Sequence, residues 1–282
     1  KDGMSGTIIL EPYEAYQHYS KTIDFTGTMV VSDKPVAVVS AVQFAIVPVA
    51  PAENRRDIIV EQLIPVCAWG RGPFILARIS LVEDIGYLYK VIASKPDTLV
   101  KISDGETVTL TNPGDVVERD VPSNSEDART VTADKPVMVV QFHRSTIGGG
   151  VDQGDPEMIV IPELAQYTGD ISFPVIDNGL DSDPTITYAQ YISVYLECRF
   201  LPGLMYDRAT ELSDSQDWTP IMTPDEEFCI VTSDDGILSD FDKIHTVSHP
   251  NPSARFFVLI QGFAQSRSHS HVAGFTFNGK CS

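Results

Sequence analysis

The side chains with the most evident chemical potential in this sequence are histidines near its C-terminus. His269 and His271 lie two residues apart, so a β-strand would place both imidazoles on one face, and His245 and His249 precede them. Two such histidines with a carboxylate could hold zinc. The alternative is a pair of exposed polar residues in a Ser/His-rich loop. We favour the loop, because short patterns of this kind often occur without a metal.

Two groups of acidic residues have the oxygen-rich composition that calcium prefers. One follows Ser233, and the other belongs to a glycine-rich loop, residues 148–157. Neither has the D-x-D-x-D-G spacing and the closing glutamate of a calcium loop. We therefore predict acidic turns that cap strands and no cofactor, with calcium as the alternative ligand. The acidic residues are Asp234, Asp235, Asp240 and Asp242 in the first group and Asp152, Asp155 and Glu157 in the second.

Signatures of common catalytic sites are absent from the sequence. It has no G-x-S-x-G nucleophile elbow, no Walker loop and no H-E-x-x-H motif. Cys67 lies beside Trp69 in an apolar segment, which favours a buried or disulfide-bonded cysteine over a reactive thiolate. We therefore predict that the chain is not an enzyme. The alternative is an enzyme or a small-ligand-binding protein that uses the 148–157 loop or the His-rich C-terminal loop.

A duplicated motif organises the elements that must position these side chains. The segment 33–39, Asp-Lys-Pro-Val-Ala-Val-Val, returns at 134–140 as Asp-Lys-Pro-Val-Met-Val-Val, 101 positions later. Proline suits the first position of a strand and the aspartate before it suits a turn. Each copy therefore predicts a turn that leads into a core strand. A third, divergent copy is the turn at 247–252 before the apolar run 256–260.

The pattern of apolar residues predicts an all-β fold of tandem β-sandwich-like repeats of roughly 100 residues. We place the repeats at 1–95, 96–195 and 196–282, with the first one truncated at its N-terminus. One hairpin can be registered in detail, because Val100, Ile102, Val108 and Leu110 share a face only if the loop has an odd length. This predicts a three-residue loop, 103–105, with a left-handed glycine at its end.

Composition and charge exclude several classes of protein. The chain has 282 residues and a net charge of −19, which argues against nucleic acid and against anionic membrane surfaces. No stretch approaches the roughly 18 unbroken apolar residues of a membrane span, so we predict no membrane insertion. The sequence opens at Lys1-Asp2-Gly3 without a starting Met or a signal peptide. We therefore expect a mature or excised piece of a longer protein.

Four cysteines are present, and none forms a C-x-x-C pair. An even number fits two disulfides in a secreted protein. Cys198 and Cys229 lie in one predicted repeat, so we pair them. Cys281 can pair with Cys67 or with a segment outside this chain.

Several short motifs recur in a specific order. The first set is Asp33-Lys34-Pro35, then Glu61-Gln62, Pro65 and Trp69-Gly70; the second is Asp134-Lys135-Pro136, then Gly154-Asp155-Pro156. This order resembles the N-terminal domain family of IgGFc-binding protein. The resemblance covers most of the chain up to Leu201. The family's Asp-Gly-Thr turn reads Pro96-Asp97-Thr98 here, which is a departure.

The resemblance implies a secreted, all-β module within large mucus-type or adhesive proteins. It implies an extracellular role in adhesion, recognition or matrix scaffolding, with a protein or glycan surface as partner and a larger multidomain chain or assembly as context. It carries no set of residues for antibody binding onto this sequence.

Overall fold

The computed structural model describes residues 5–48, 57–77, 86–122, 128–145, 155–175, 189–213, 218–223, 226–233, 243–264 and 267–277. Within these ranges the chain is all-β, as predicted, with nineteen strands, three single-turn 3-10 helices and no α-helix. The 3-10 turns are Val66–Ala68, Leu164–Gln166 and Cys198–Phe200. No helix in this described part of the chain has the length and apolar character needed to cross a bilayer.

The strands form an N-terminal hairpin and two larger units, and every pairing between them is antiparallel. The hairpin consists of β1 (Val39–Ala45) and β2 (Asp57–Gln62). The first sandwich contains β3 (Phe74–Ala77), β4 (Tyr87–Ala93), β5 (Thr98–Ile102), β6 (Thr107–Leu110), β7 (Val116–Val121), β8 (Ala128–Ala133), β9 (Val137–His143) and β10 (Met158–Ile161). The second sandwich contains β11 (Ile171–Pro174), β12 (Ala189–Glu197), β13 (Met205–Tyr206), β14 (Thr210–Glu211), β15 (Trp218–Met222), β16 (Phe228–Ser233), β17 (Ile244–Ser248), β18 (Phe256–Ala264) and β19 (Arg267–Ala273).

The two sandwiches have the same topology. The first pairs its strands in the orders β10-β9-β4-β7 and β3-β8-β5-β6, and the second in the orders β19-β18-β12-β16-β15 and β11-β17-β13-β14. Apart from the added strand β15, each strand of one sandwich has a counterpart at the same place in the other. The divergent third copy of the motif therefore leads into β18, the counterpart of β9.

The predicted boundaries at 95 and 195 do not coincide with these units. Strand β4 ends before residue 95 but pairs with β7 and β9, which follow it, and residue 195 lies inside β12. The physical reason is that each motif strand takes a sheet partner from well upstream in the chain. A unit therefore begins with β3 or β11, before the partner strand.

Apolar side chains alternate along the strands and fill two main cores. One core contains the inward residues of both sheets of the first sandwich, such as Val91 and Val139, together with Tyr195 and Phe257 from the second. The other lies inside the second sandwich. The outer face of β4 and β9 is also apolar, and it is covered in part by Leu63, Ile64 and Trp69.

The β5–β6 hairpin confirms the predicted register. Val100 pairs with Val108, and the amide of Ile102 donates to the carbonyl of Glu106 at 2.9 Å, which leaves the three residues 103–105 as the loop. Gly105 has φ +93°, in the left-handed region that favours glycine.

The N-terminal hairpin is anchored to the first sandwich at one end. The amide of Ser145, just after β9, donates to the carbonyl of Val47 at 2.8 Å, and Ile59 of β2 is buried. Residues 5–38 precede the hairpin without forming a strand. This segment contacts the sandwich through Asp24, whose carboxylate lies 3.6 Å from the Lys90 ammonium.

Candidate functional site

The two copies of the Asp-Lys-Pro motif occupy different environments. In the second copy, an oxygen of Asp134 accepts from the Leu99 amide at 2.8 Å, and the Lys135 ammonium donates to the carbonyl of Pro96 at 2.7 Å. The carbonyl of Pro136 accepts from Ser94, so all three motif residues hold the turn between β4 and β5 against the start of β9. In the first copy, Asp33, Lys34 and Pro35 are exposed.

Several of the residues that carry the family resemblance, from the end of β2 to the start of β3, have structural roles. The indole N–H of Trp69 donates to the carbonyl of Ile64 at 3.1 Å. Gly70 is buried against Glu163, and a Cβ there would overlap that side chain, so the close approach requires glycine. Glu61 is half-buried, and burial raises its pKa to about 7 against the opposing hydrogen bond from the backbone of Gln62. Gln62 and Pro65 are exposed.

A buried polar cluster lies where the first sandwich meets β18 and β19 of the second. We define it as Gln141 and His143 of β9, Asp155 and Glu157 before β10, Gln261 of β18, and Ser268 and Ser270 of β19. The Glu157 carboxyl accepts from the Gln261 amide at 3.1 Å, and the Ser268 hydroxyl donates to the carbonyl of Asp155 at 2.8 Å. The cluster thus joins the two sandwiches through polar contacts.

Burial controls the protonation of this cluster. Burial raises the pKa of Glu157 to about 8, although hydrogen bonds from Gln261, Ser268 and Ser270 oppose the shift. Burial also lowers the pKa of His143, opposite Glu157 across the β9–β10 pair, to about 4. At neutral pH both side chains are therefore neutral, as a desolvated interior favours.

The predicted acidic turn at 148–157 needs a correction. Asp155, Pro156 and Glu157 are buried rather than displayed in a solvated turn, because they lie against Gln261 of β18 and Ser268 of β19. Gly154 and Asp152, like the run 148–150 and the group of Asp234, Asp235, Asp240 and Asp242, lie outside the described residues.

The histidines do not form one group within the described structure. His269 and His271 lie in strand β19 and are partly buried, so their favoured interpretation as an exposed loop was wrong. The ring of His269 packs over Gly262, and burial lowers its pKa to about 4, with the neighbouring His271 adding to the shift. His245 instead contacts the Tyr206 hydroxyl at 2.6 Å, and His249 the carbonyl of Pro202 at 3.0 Å.

Metal ligands of the usual types do not cluster in the described ranges, where no three His, Cys, Asp or Glu side chains come together as an ion would need. An open cleft of about 490 Å³ lies elsewhere, between residues 165–170 and 249–255. His249 is the only sequence-predicted candidate among the side chains that line it.

The cysteine prediction is confirmed where the structure describes it. Cys198 and Cys229 form a disulfide with a Cα–Cα distance of 4.9 Å, next to the start of β16. Cys67 is also disulfide-bonded, but it lies exposed in the 3-10 turn Val66–Ala68 rather than in a strand. Cys281 lies outside the described residues.

The N-terminal hairpin carries an exposed apolar surface. Val39 and Ala41 of β1 lie beside Ile58 and Val60 of β2 on one face, and all four are exposed. We call these four residues the hairpin surface. The segment before it exposes further large apolar residues, including Ile8, Ile9, Leu10, Ile23, Met29, Val30, Val31 and Val36. Large exposed apolar patches mark protein–protein or membrane interaction sites or ligand-binding grooves.

Sequence reasoning missed Gln141, Gln261 and Glu163. The first two are polar residues at inward positions of apolar strands, a signal that was readable in the β9 and β18 segments. Glu163 had no such signal, because its role depends on the close approach of residues 70–72. The backbone amides of Arg71 and Gly72 donate to the Glu163 carboxylate.

Comparison with known proteins agrees with the motif order. A family model described as IgGFc binding protein matches residues 1–262, which extends the likeness well past Leu201. No curated protein and no solved structure matches the chain. Because the family match covers most of the 282 residues, the chain belongs to the IgGFc binding protein family.

Proposed function

We propose that this chain is a non-enzymatic extracellular module that acts in recognition, adhesion or matrix scaffolding through its surface. Membership of the IgGFc binding protein family supports such a role in general terms. The partner would be a protein or glycan surface, and the module would work within a larger secreted chain or assembly.

The observation that carries this proposal is the exposed hairpin surface. Its apolar side chains belong to paired strands, so they are held in a fixed arrangement, unlike apolar residues in a loose tail. Exposed apolar groups on a rigid element favour association, because burying apolar surface lowers the free energy by about 25 cal/mol per Å². The net charge of −19 adds a preference for cationic partners, which salt would weaken.

No cofactor is part of this proposal, and calcium is the ligand to test. A second candidate function, small-ligand binding or catalysis, is favoured by one observation. The carboxyl of Glu157 is held neutral among buried amide and hydroxyl groups, as general acids often are.

The experiment is affinity capture from the extracellular fluid of the native source, read by quantitative mass spectrometry. The bait is the full chain, compared with a double variant, Ile58→Lys and Val60→Lys, that charges the hairpin surface. The control is Thr107→Lys with Thr109→Lys, which places the same charges on the exposed side of β6. We expect partners that bind the wild type and the control but are depleted at least fivefold on the hairpin variant. Repeating the capture with a calcium chelator tests the ion.

Two results would overturn the proposal. One is an identical set of captured proteins on all three baits. The other is turnover on an esterase, glycosidase or phosphatase panel that disappears when His143, His269 or His271 is changed to Ala.

A further inference from the structure

The two complete sandwiches show which strand belongs beside a motif strand. In the first sandwich, β9 lies between β10 and β4. In the second, its counterpart β18 lies between β19 and β12. The strand on the second side is apolar and buried in both cases, and it runs antiparallel to the motif strand.

Strand β1 follows the first copy of the motif, and in the described part of the chain it is paired on one side. It pairs with β2, as β9 pairs with β10, but within the described residues no strand pairs with its other edge. The edges can be matched residue by residue. In the first copy, the amide of Leu63 donates to the carbonyl of Val38. In the second copy, the amide of His143 donates to the carbonyl of Glu157. Val38 and His143 are therefore in phase in their motif copies, since backbone groups alternate between the two edges.

It follows that Val39 and Ala41 direct their backbone N–H and C=O groups to the open edge of β1. Their counterparts, 101 positions later, are Val140 and Phe142. Those residues pair with Lys90 and Leu88 of β4. The open edge of β1 thus corresponds to the edge of β9 that β4 covers.

Identical side chains are also covered differently in the two copies, although Leu63, Ile64 and Trp69 supply part of the cover over Val140. Val39 is 57% exposed, whereas its counterpart Val140 is 4% exposed. Val36 is 50% exposed, whereas its counterpart Val137 is fully buried, at 0%. The same apolar residues that form a core in the second copy therefore face solvent in the first.

The edge of β1 lacks the charges and prolines that often protect an edge strand, although its pairing with β2 shifts register between Val42 and Ala45. Strand β7, at the edge of its own sheet, carries the charged run Glu118-Arg119-Asp120, which discourages a further strand. Strand β1 has the sequence VSAVQFA, with no charge and no proline. An uncharged apolar edge is a template for strand addition.

We propose that the open edge of β1 binds an antiparallel apolar β-strand from another unit of this repeat, and that this strand has the chemistry of β4 and β12. This proposal rests on the recognition role proposed above. Main-chain hydrogen bonds to Val39 and Ala41 give the register, and the apolar side chains of the added strand cover Val36 and Val39. The strands β4 and β12 define the kind of partner: seven to nine residues, mostly apolar, with tyrosines on one face of the strand, such as Tyr87 and Tyr89.

The test is binding of a fluorescein-labelled peptide with the sequence of residues 86–95 to the full chain, followed by fluorescence anisotropy. We expect saturable binding that the unlabelled peptide competes and that a scrambled peptide does not. The variant Ala41→Pro removes an amide that faces the open edge, at a place where an edge strand tolerates proline, and should weaken binding at least tenfold. The matched control Ala41→Val keeps the amide and should bind within threefold of the wild type.

A second variant covers the case in which Ala41→Pro disturbs the hairpin. Val39→Lys keeps every backbone amide and adds an edge charge, and it should weaken binding at least fivefold. Equal binding by the wild type and both variants, or equal binding of the scrambled peptide, would overturn the inference. A dimer of the chain that both variants abolish would also overturn it, because the edge would then be occupied by a folded second copy, in which β4 and β12 are already paired on both sides. If the peptide fails to bind while the charged hairpin variant still loses its captured partners, this inference fails and the proposed function stands.

Discussion

The buried carboxyl of Glu157 makes a quantitative prediction about stability and pH. Its pKa is about 8 in the folded protein and about 4.5 when exposed to water. Because folding raises this pKa, its contribution to stability is fully present below about pH 4.5 and is lost as the pH rises through 8. At ~1.4 kcal/mol per pKa unit, the full loss is about 5 kcal/mol, with relaxation and water entry reducing it in practice.

The variant Glu157→Gln removes the titration and keeps a group that can accept from Gln261. We expect little difference from the wild type at pH 5 and a variant that is more stable by at least ~2 kcal/mol at pH 8.5. The assay is urea unfolding followed by circular dichroism at four pH values from 5 to 8.5. Comparing the variant with the wild type cancels the opposite trend from His143, whose lowered pKa removes stability as the pH falls from 6.5 towards 4.

The matched control is Glu118→Gln, which removes an equal charge from an exposed side chain next to Lys90. It should shift stability by less than ~0.5 kcal/mol with no trend over this pH range. A stability difference between Glu157→Gln and the wild type that stays flat from pH 5 to 8.5 would refute the claim that Glu157 is buried and neutral.

Three further outcomes test the scaffold. Asp134→Ala should lower the free energy of unfolding by about 1 kcal/mol in urea titrations, whereas Asp33→Ala at the exposed copy of the motif should leave it unchanged, and equal losses would contradict the different environments. Replacing Cys198 and Cys229 with Ala should cost about 3–4 kcal/mol, and a thermal midpoint equal to that of the wild type would count against this. Gly70→Ala should cost about 1–3 kcal/mol, because the added methyl group overlaps the glutamate behind it, and a neutral effect would show that the contact can relax.

The strand content and local registers were predictable because they depend on neighbours along the chain. The β5–β6 loop followed from the spacing of four apolar residues, and the disulfide from cysteines in one unit. The unit boundaries were not predictable in the same way. The pairing of β4 with β9 joins segments far apart in the chain, and the sequence near residue 95 has no local signal for it. The burial of Glu157 was missed for a related reason. Its surroundings come from β18 and β19, more than 100 residues away.

The five-stranded sheet of the second sandwich has a consequence for how the molecule unfolds. Neighbouring residues of β18 point into different cores, since Phe257 packs with the first sandwich and Val258 inside the second. Loss of this sheet would therefore expose one side of both cores to solvent together. Residues 74–273 should melt as one cooperative block, with a calorimetric enthalpy equal to the van't Hoff value. Cutting the chain between the two sandwiches would leave each half with an uncovered apolar wall, so neither half should remain soluble as a folded piece.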